Sequence, residues 1–161
     1  MDIKLRNMTS IYLIRVGEIL CLYRIGSRVA NNLYVGSAGG HFEQSELYDA
    51  RACALREMQE ELGLSEEALE GLSLRYITLR NTGEEIRQNF YFFARLKEPY
   101  GSLVSNEGQL KWCREEEILQ LPMPVTAHFV MEHYFAQGKH TSCLYAGVTD
   151  TRDAQFIEMK P

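Results

Sequence analysis

Apolar residues along this chain fall into short runs of two different periods. Residues 10–16, SIYLIRV, and 18–24, EILCLYR, are rich in β-branched and other apolar side chains and meet at Val16-Gly17-Glu18, which predicts a hairpin. Residues 33–38, LYVGSA, predict a further short strand running into a Gly39–Gly40 turn. From about Asp49 to Leu62 the spacing changes to threes and fours, with Leu55, Met58 and Leu62 in phase, and Gly63 offers the left-handed residue that ends helices. A helix is predicted there. Residues 72–80 and 85–96 flank the turn-forming NTGE and predict a second, aromatic-rich hairpin, and GQLKWCR (108–114) predicts one more strand. EEEILQLP then gives a short helical turn, and residues 124–138 a longer helix with Pro124 near its start and Gly138 at its stop. TSCLYAGV (141–148) reads as an edge strand before a polar tail, and residues 1–8 as a flexible N-terminal extension.

Strands arriving in hairpins with few helices predict a mixed α/β (α+β) sandwich whose sheet is mixed and largely antiparallel. A doubly wound parallel sheet would need regular strand-helix alternation. The chain has 161 residues, no repeats and no linker, and is expected to form one domain over 1–161. No run of about 18 apolar residues spans a bilayer, and MDIKLRNMTS is too short and polar for a signal peptide, so the expected location is cytoplasmic. A net charge of -5 weighs against nucleic-acid or anionic-membrane partners. It admits a small phosphorylated ligand whose charge a metal neutralises. Cys21, Cys53, Cys113 and Cys143 show no metal or disulfide spacing and read as reduced thiols. His128 and His133, five apart on the predicted second long helix, share no face and read as structural. Monomer and homodimer both stay open.

The chemistry concentrates on the helix from Asp49. At about 100° per residue, with Glu57 at zero, Glu61 lies near +40° and Glu60 near -60°, so the three carboxylates share one face. Met58, Leu62 and Leu55 fall between roughly +100° and +160°, an apolar stripe separate from the acids. Arg56 precedes Glu60 by four positions and is placed to pair with it. Like charges at such spacings destabilise a helix unless compensated, and a hard divalent cation with oxygen ligands compensates better than one arginine. An acidic helix face alone is commonly a solvated surface. Here a strand and a Gly-Gly turn precede it, permitting close backbone approach and offering the Gly39 carbonyl to a metal.

With these residues in view, the stretch resembles the Nudix hydrolase signature: G, five residues, E, seven residues, then R-E-U-x-E-E-x-G-U with U apolar. Gly40 is followed by five residues and Glu46, and REMQEELGL from Arg56 to Leu64 fits every fixed position of the second half. The departure is a spacer of nine residues, LYDARACAL, between Glu46 and Arg56. A two-residue expansion before the helix leaves Glu57, Glu60 and Glu61 in the same mutual phase.

The resemblance implies a Nudix-like α/β/α sandwich and a Mg2+- or Mn2+-dependent enzyme that cleaves a nucleoside diphosphate linked to another moiety. It implies Glu57, Glu60 and Glu61 as metal ligands, the Gly39 carbonyl as an assistant, Arg56 as the residue orienting the glutamates, and Glu46 as a neighbouring or occasional ligand. The general base is then Glu107, in SNEGQLKW, or Glu61. Phe90, Tyr91, Phe92 and Trp112 could stack on a base, although strand aromatics more often form core. Two other readings share the fold: a nucleotide sensor without catalysis, which the intact acids disfavour, and an isomerase of the isopentenyl diphosphate type, whose catalytic Cys and metal-binding His residues have no evident counterparts here.

Overall fold

The computed structural model describes residues 2–26 and 31–161. Its centre is a single mixed sheet, built from β1 (Lys4–Arg15), β2 (Glu18–Arg24), β3 (Leu33–Val35), β4 (Ala38–His41), β5 (Leu69–Asn81), β6 (Glu85–Leu96), β7 (Gly108–Arg114), β8 (Leu144–Thr149) and β9 (Ala154–Met159). The order along the sheet is β3-β2-β1-β6-β5-β8-β9, with β4 also on β1 and β7 also on β2. Hairpins supply the antiparallel pairs, while β1 with β6 and β5 with β8 run parallel. Helix α1 (Ala50–Leu62) covers one face and α3 (Val125–Ala136) the other, with the single turn α2 (Glu115–Ile118) leading into the latter. The mixed α/β/α sandwich expected from the sequence is what forms. Among the described residues, no helix is long and apolar enough to cross a membrane.

Strand alternation separates the two cores. Tyr12, Tyr76, Tyr91 and Phe93 point to the α3 side and meet Val130, Met131 and Tyr134; Ile11, Leu13, Phe92 and Ala94 point to the α1 side and meet Ala54, Met58 and Leu62. Helix α1 starts where the Asp49 side chain accepts the Ala52 N–H, and ends at Gly63 with φ 66°.

The strand expected over 33–38 is two strands, and the reason matters for the site. β1 pairs with β2 through Leu13–Arg15 and with β4 through Met8–Ile11, so the sheet forks along β1. Ser37 sits in the fork: its hydroxyl accepts the Leu13 N–H (2.9 Å) and donates to the Leu20 carbonyl (2.5 Å), while its own N–H donates to Ile11 O (2.8 Å). One side chain thus supplies the rung that the diverging backbones cannot make. Beyond it, β4 is free to turn toward α1.

Two terminal expectations are corrected. From Lys4 on, the N-terminal segment is not an extension but the start of β1, paired in parallel with Glu85–Asn89 of β6. The polar tail forms β9, which pairs with β8 and takes the edge position from it. Arg75, buried, fixes the connection before β8 by donating to the carbonyls of Gly138, Thr141 and Cys143.

Met58 is fully buried between α1 and the sheet. Met58→Ala is expected to destabilise the protein by about 2–5 kcal/mol through lost burial and a residual cavity. Urea unfolding of the two proteins measures the difference.

Candidate active site

Glu57 and Glu61 come from the middle and end of α1, and Gly39–Gly40 from β4, which packs beside that helix. Glu61 Oε2 accepts the Gly39 N–H at 3.1 Å. A Cβ added to Gly40 would overlap the Glu57 carboxylate, so only glycine admits this approach. The two acids therefore lie against bare backbone at the margin of the buried stripe, which runs through Cys53, Ala54, Met58 and Leu62. This corrects the sequence reading, in which the acids and the packing stripe stood apart. Cys53, about 40° from Glu57 on the wheel, is buried against Thr9 and extends the packed surface under the acids. Leu55, assigned to the stripe, is only partly buried. Glu60, by contrast, points outward, with its side chain 57% exposed.

Arg56 binds this arrangement together. Its Nε and Nη2 grip Glu46 at 2.5 and 3.0 Å, Nη1 reaches Glu57 at 2.9 Å and Glu60 at 3.1 Å, and Nη2 also donates to the His41 carbonyl at 3.1 Å. Glu46 is buried and accepts the Glu43 N–H on Oε2 (2.9 Å) as well. Both of its oxygens are occupied, which sets it apart from Glu57, Glu60 and Glu61. The nine-residue spacer is accommodated as a 3-10 turn ending at Glu46, a bend through Leu47 and Tyr48, and the first helical turn, so Glu46 still meets Arg56.

The environments drive the carboxyl groups apart. Bidentate pairing with Arg56 pulls Glu46 down to about 2. Glu61 is pushed up to about 7, chiefly by desolvation, with smaller contributions from the charges of Glu57 and Glu107, and against the pull of the Gly39 N–H. Burial also raises Glu57, opposed by Arg56. Together these describe negative charge held in a place short of positive charge.

A cavity of about 440 Å³ opens on Glu57 and Glu61 and reaches the start of α3 at Pro124 and Ala127. Glu107 lines it too, brought there because Gly108 of β7 pairs with Arg24 of β2; Arg24 Nη2 meets Glu107 Oε2 at 2.7 Å. The structure thus assembles Gly39, Glu57, Glu61 and Glu107 around one space, while Arg56, Glu46 and Glu60 lie outside its lining and join it through Glu57. Among the described residues, no three Asp, Glu, His or Cys side chains converge on one point at metal-ligating distance. Arg24 and Ser37 were not singled out in the sequence; both act through strand register, which leaves no local signal. Phe92 is core, Tyr91 is buried at the cavity wall, and Trp112 lies under Arg15, whose guanidinium carbon is 4.1 Å from the ring centre. His133 bonds Tyr76 (Nδ1 to OH, 2.9 Å) and His128 the Leu119 carbonyl (3.1 Å), so neither joins the site.

Glu61 binds its proton more tightly in the folded chain than in the unfolded one, where its pKa is about 4.3. Without divalent cations, stability is therefore expected to fall as pH rises from about 4.3 through about 7, by a few degrees in Tm, and then to level off. Glu61→Gln should flatten this decline. Thermal melts of chelator-treated protein between pH 5 and 8 measure both slopes.

The NUDIX domain family model matches residues 5–135. No curated protein sequence matches the chain. Among solved structures, a mutator MutT protein from Bacillus halodurans superposes with a TM-score of 0.71 at 22% identity, covering 94% of this chain and 97% of the other. An Ap4A hydrolase from C. elegans gives 0.64 at 19% identity, covering 86% and 100%, and a Nudix hydrolase from M. smegmatis, RenU, gives 0.64 at 17%, covering 88% and 89%. These likenesses concern the fold, whereas the family match spans most of the sequence together with the glycine loop and acidic helix described above. The chain belongs to the NUDIX domain family.

Proposed function

We propose that this protein hydrolyses the diphosphate linkage of a small nucleoside diphosphate derivative, releasing a nucleoside monophosphate and a phosphorylated second moiety. By its family it is a pyrophosphohydrolase; the substrate class is the part proposed. One observation carries the reading: Glu57 and Glu61 are held half-buried over Gly39–Gly40 with their affinity for protons raised, at the mouth of a cavity of substrate size.

The donor set fits a hard divalent cation, Mg2+ or Mn2+. Glu57, Glu60 and Glu61 would hold it, with the Gly39 carbonyl, because oxygen donors suit these ions and the cradle at Gly40 leaves no room for a side chain. When bound, such an ion neutralises phosphoryl charge and acidifies water. The chain's own residues do the rest. Arg56 fixes the rotamers of Glu57 and Glu60 from behind. Glu46, saturated by Arg56 and the Glu43 N–H, positions that arginine instead of serving as a ligand. Glu107 is the carboxylate of the cavity that lies off the helix, and we assign it the general-base role, with Arg24 holding its carboxylate toward the cavity. Glu61 remains the other candidate for that role.

The test is a panel of nucleotide sugars, ADP-ribose, dinucleoside polyphosphates and nucleoside triphosphates with Mg2+, with products resolved by chromatography. At least one is expected to be cleaved at a diphosphate bond. Glu60→Gln and Glu61→Gln should each lower turnover by about 10²-fold or more and weaken Mn2+ binding. Glu107→Gln should lower kcat by about 10²–10⁴-fold while leaving Mn2+ affinity intact. Full activity in both helix variants would sink the metal face, and full activity in Glu107→Gln would transfer the base role to Glu61. Tight binding of a nucleotide without cleavage would make the protein a sensor.

A further inference from the structure

The wall of the cavity opposite the acidic helix carries its own electrostatic imbalance, of reversed sign. Arg6 of β1, Arg87 of β6 and Arg80 of β5 are register partners in a row across three adjacent strands. Paired positions share a face, so the three guanidinium groups stand side by side, and like charges directly opposite one another destabilise a sheet. Among the described residues Glu85 is the one acid in ion-pair contact with the row, its Oε1 taking Arg87 Nε at 2.8 Å and Arg6 Nη1 at 3.2 Å, while exposed Asp150 acts on Arg80 through its charge without an ion pair. Arg80 makes no ion pair among the described residues, and both Arg80 and Arg87 line the cavity.

We infer that this row is a second anion subsite, and that the substrate carries a phosphoryl group there besides the diphosphate at the acidic wall. The inference rests on the diphosphatase reading and narrows its substrate class. From β4, which holds the glycines, to β5, which holds Arg80, there are three strand spacings of about 4.8 Å each, or about 14 Å. The two phosphorus atoms of one diphosphate share a bridging oxygen and cannot occupy both ends. One row nearer the acidic wall, Asn89 opposes Thr78, and its Oδ1 is closed off from solvent without a hydrogen-bond partner. Planar guanidinium groups match phosphoryl oxygens, and two of them on one wall favour a dianion over a neutral sugar. The second phosphoryl group has two possible sources, a phosphate ester on the remote half of the substrate or the continuation of a longer polyphosphate chain.

The experiment uses two matched pairs with Mg2+: NADPH against NADH, which differ by one ribose phosphate, and diadenosine tetraphosphate against diadenosine diphosphate. KM is measured for wild type, Arg80→Gln and Arg80→Lys, with circular dichroism to check folding. In at least one pair the more phosphorylated member should have a KM lower by about tenfold or more. That ratio should collapse toward one in Arg80→Gln and survive in Arg80→Lys, and the pair that responds identifies the source. Equal KM within both pairs, or a ratio unchanged by Arg80→Gln, overturns the subsite and leaves the diphosphatase reading standing. Should wild type cleave none of the four compounds, the diphosphatase reading is decided by the wider panel above, and the same ratios are read as Kd by calorimetry. Arg80-dependent preference then upholds the subsite, and equal Kd values overturn it.

Discussion

The Arg56 guanidinium is the contact on which the site depends, because one side chain ties together three pieces of backbone. Through Glu46 it holds the turn before α1, through the His41 carbonyl the end of β4, and through Glu57 and Glu60 the helix itself. An arginine has five donors, and this one uses all three nitrogens. Its single positive charge faces four carboxylates, those of Glu43, Glu46, Glu57 and Glu60, with Glu61 close by as a fifth. Glu46 takes the best geometry and becomes strongly acidic, so Glu57 and Glu61 are left under-compensated. The arrangement holds the acids in place without neutralising them, which is the condition under which they would bind a cation and not simply a structural arginine.

The second constraint is the fork in the sheet. An unbroken β1–β2–β4 ladder would have kept β4 flat and its glycines away from α1. Ser37 lets the ladder divide without leaving buried backbone groups unpaired, and the cavity opens on the ground so gained. Gly39 and Gly40 then contribute what no other residue could, a backbone surface that carboxylates can touch.

Much of this was legible in the sequence, and the pattern of what was not has a physical cause. The hairpins at Gly17 and Gly83, the helix from Asp49 to Gly63 and the shared phase of Glu57, Glu60 and Glu61 are set by contacts within a few residues, which local periodicity records. Residues 4–8 became a strand only because β6, about eighty positions away, offers a parallel edge, and nothing in KLRNM announces that partner. The split of LYVGSA at Ser37 likewise depends on Leu13 and Leu20. On the wheel Cys53 belonged to the acidic face, yet it is buried, because the sheet wraps under the N-terminal half of α1 and not only along its leucines. The arginine row is invisible in sequence for the same reason: Arg6, Arg80 and Arg87 become neighbours only through register.

With cation-demanding acids at one end and surplus guanidinium groups at the other, the cavity has a direction, and that direction decides what a net charge of -5 means for a polyanionic ligand. The overall field repels such a molecule at a distance, but at physiological ionic strength it decays over about 8 Å. Inside the cavity the nearest charges dominate, and low-dielectric walls strengthen them. A small molecule with one anionic group can settle at either end, and only one of those positions places it at the acidic helix. A ligand with phosphoryl groups at both ends satisfies the two walls together in a single register. On the proposed reading the arginine row contributes to orientation as well as affinity, and through orientation to which diphosphate bond would come to rest beside Glu61 and Glu107.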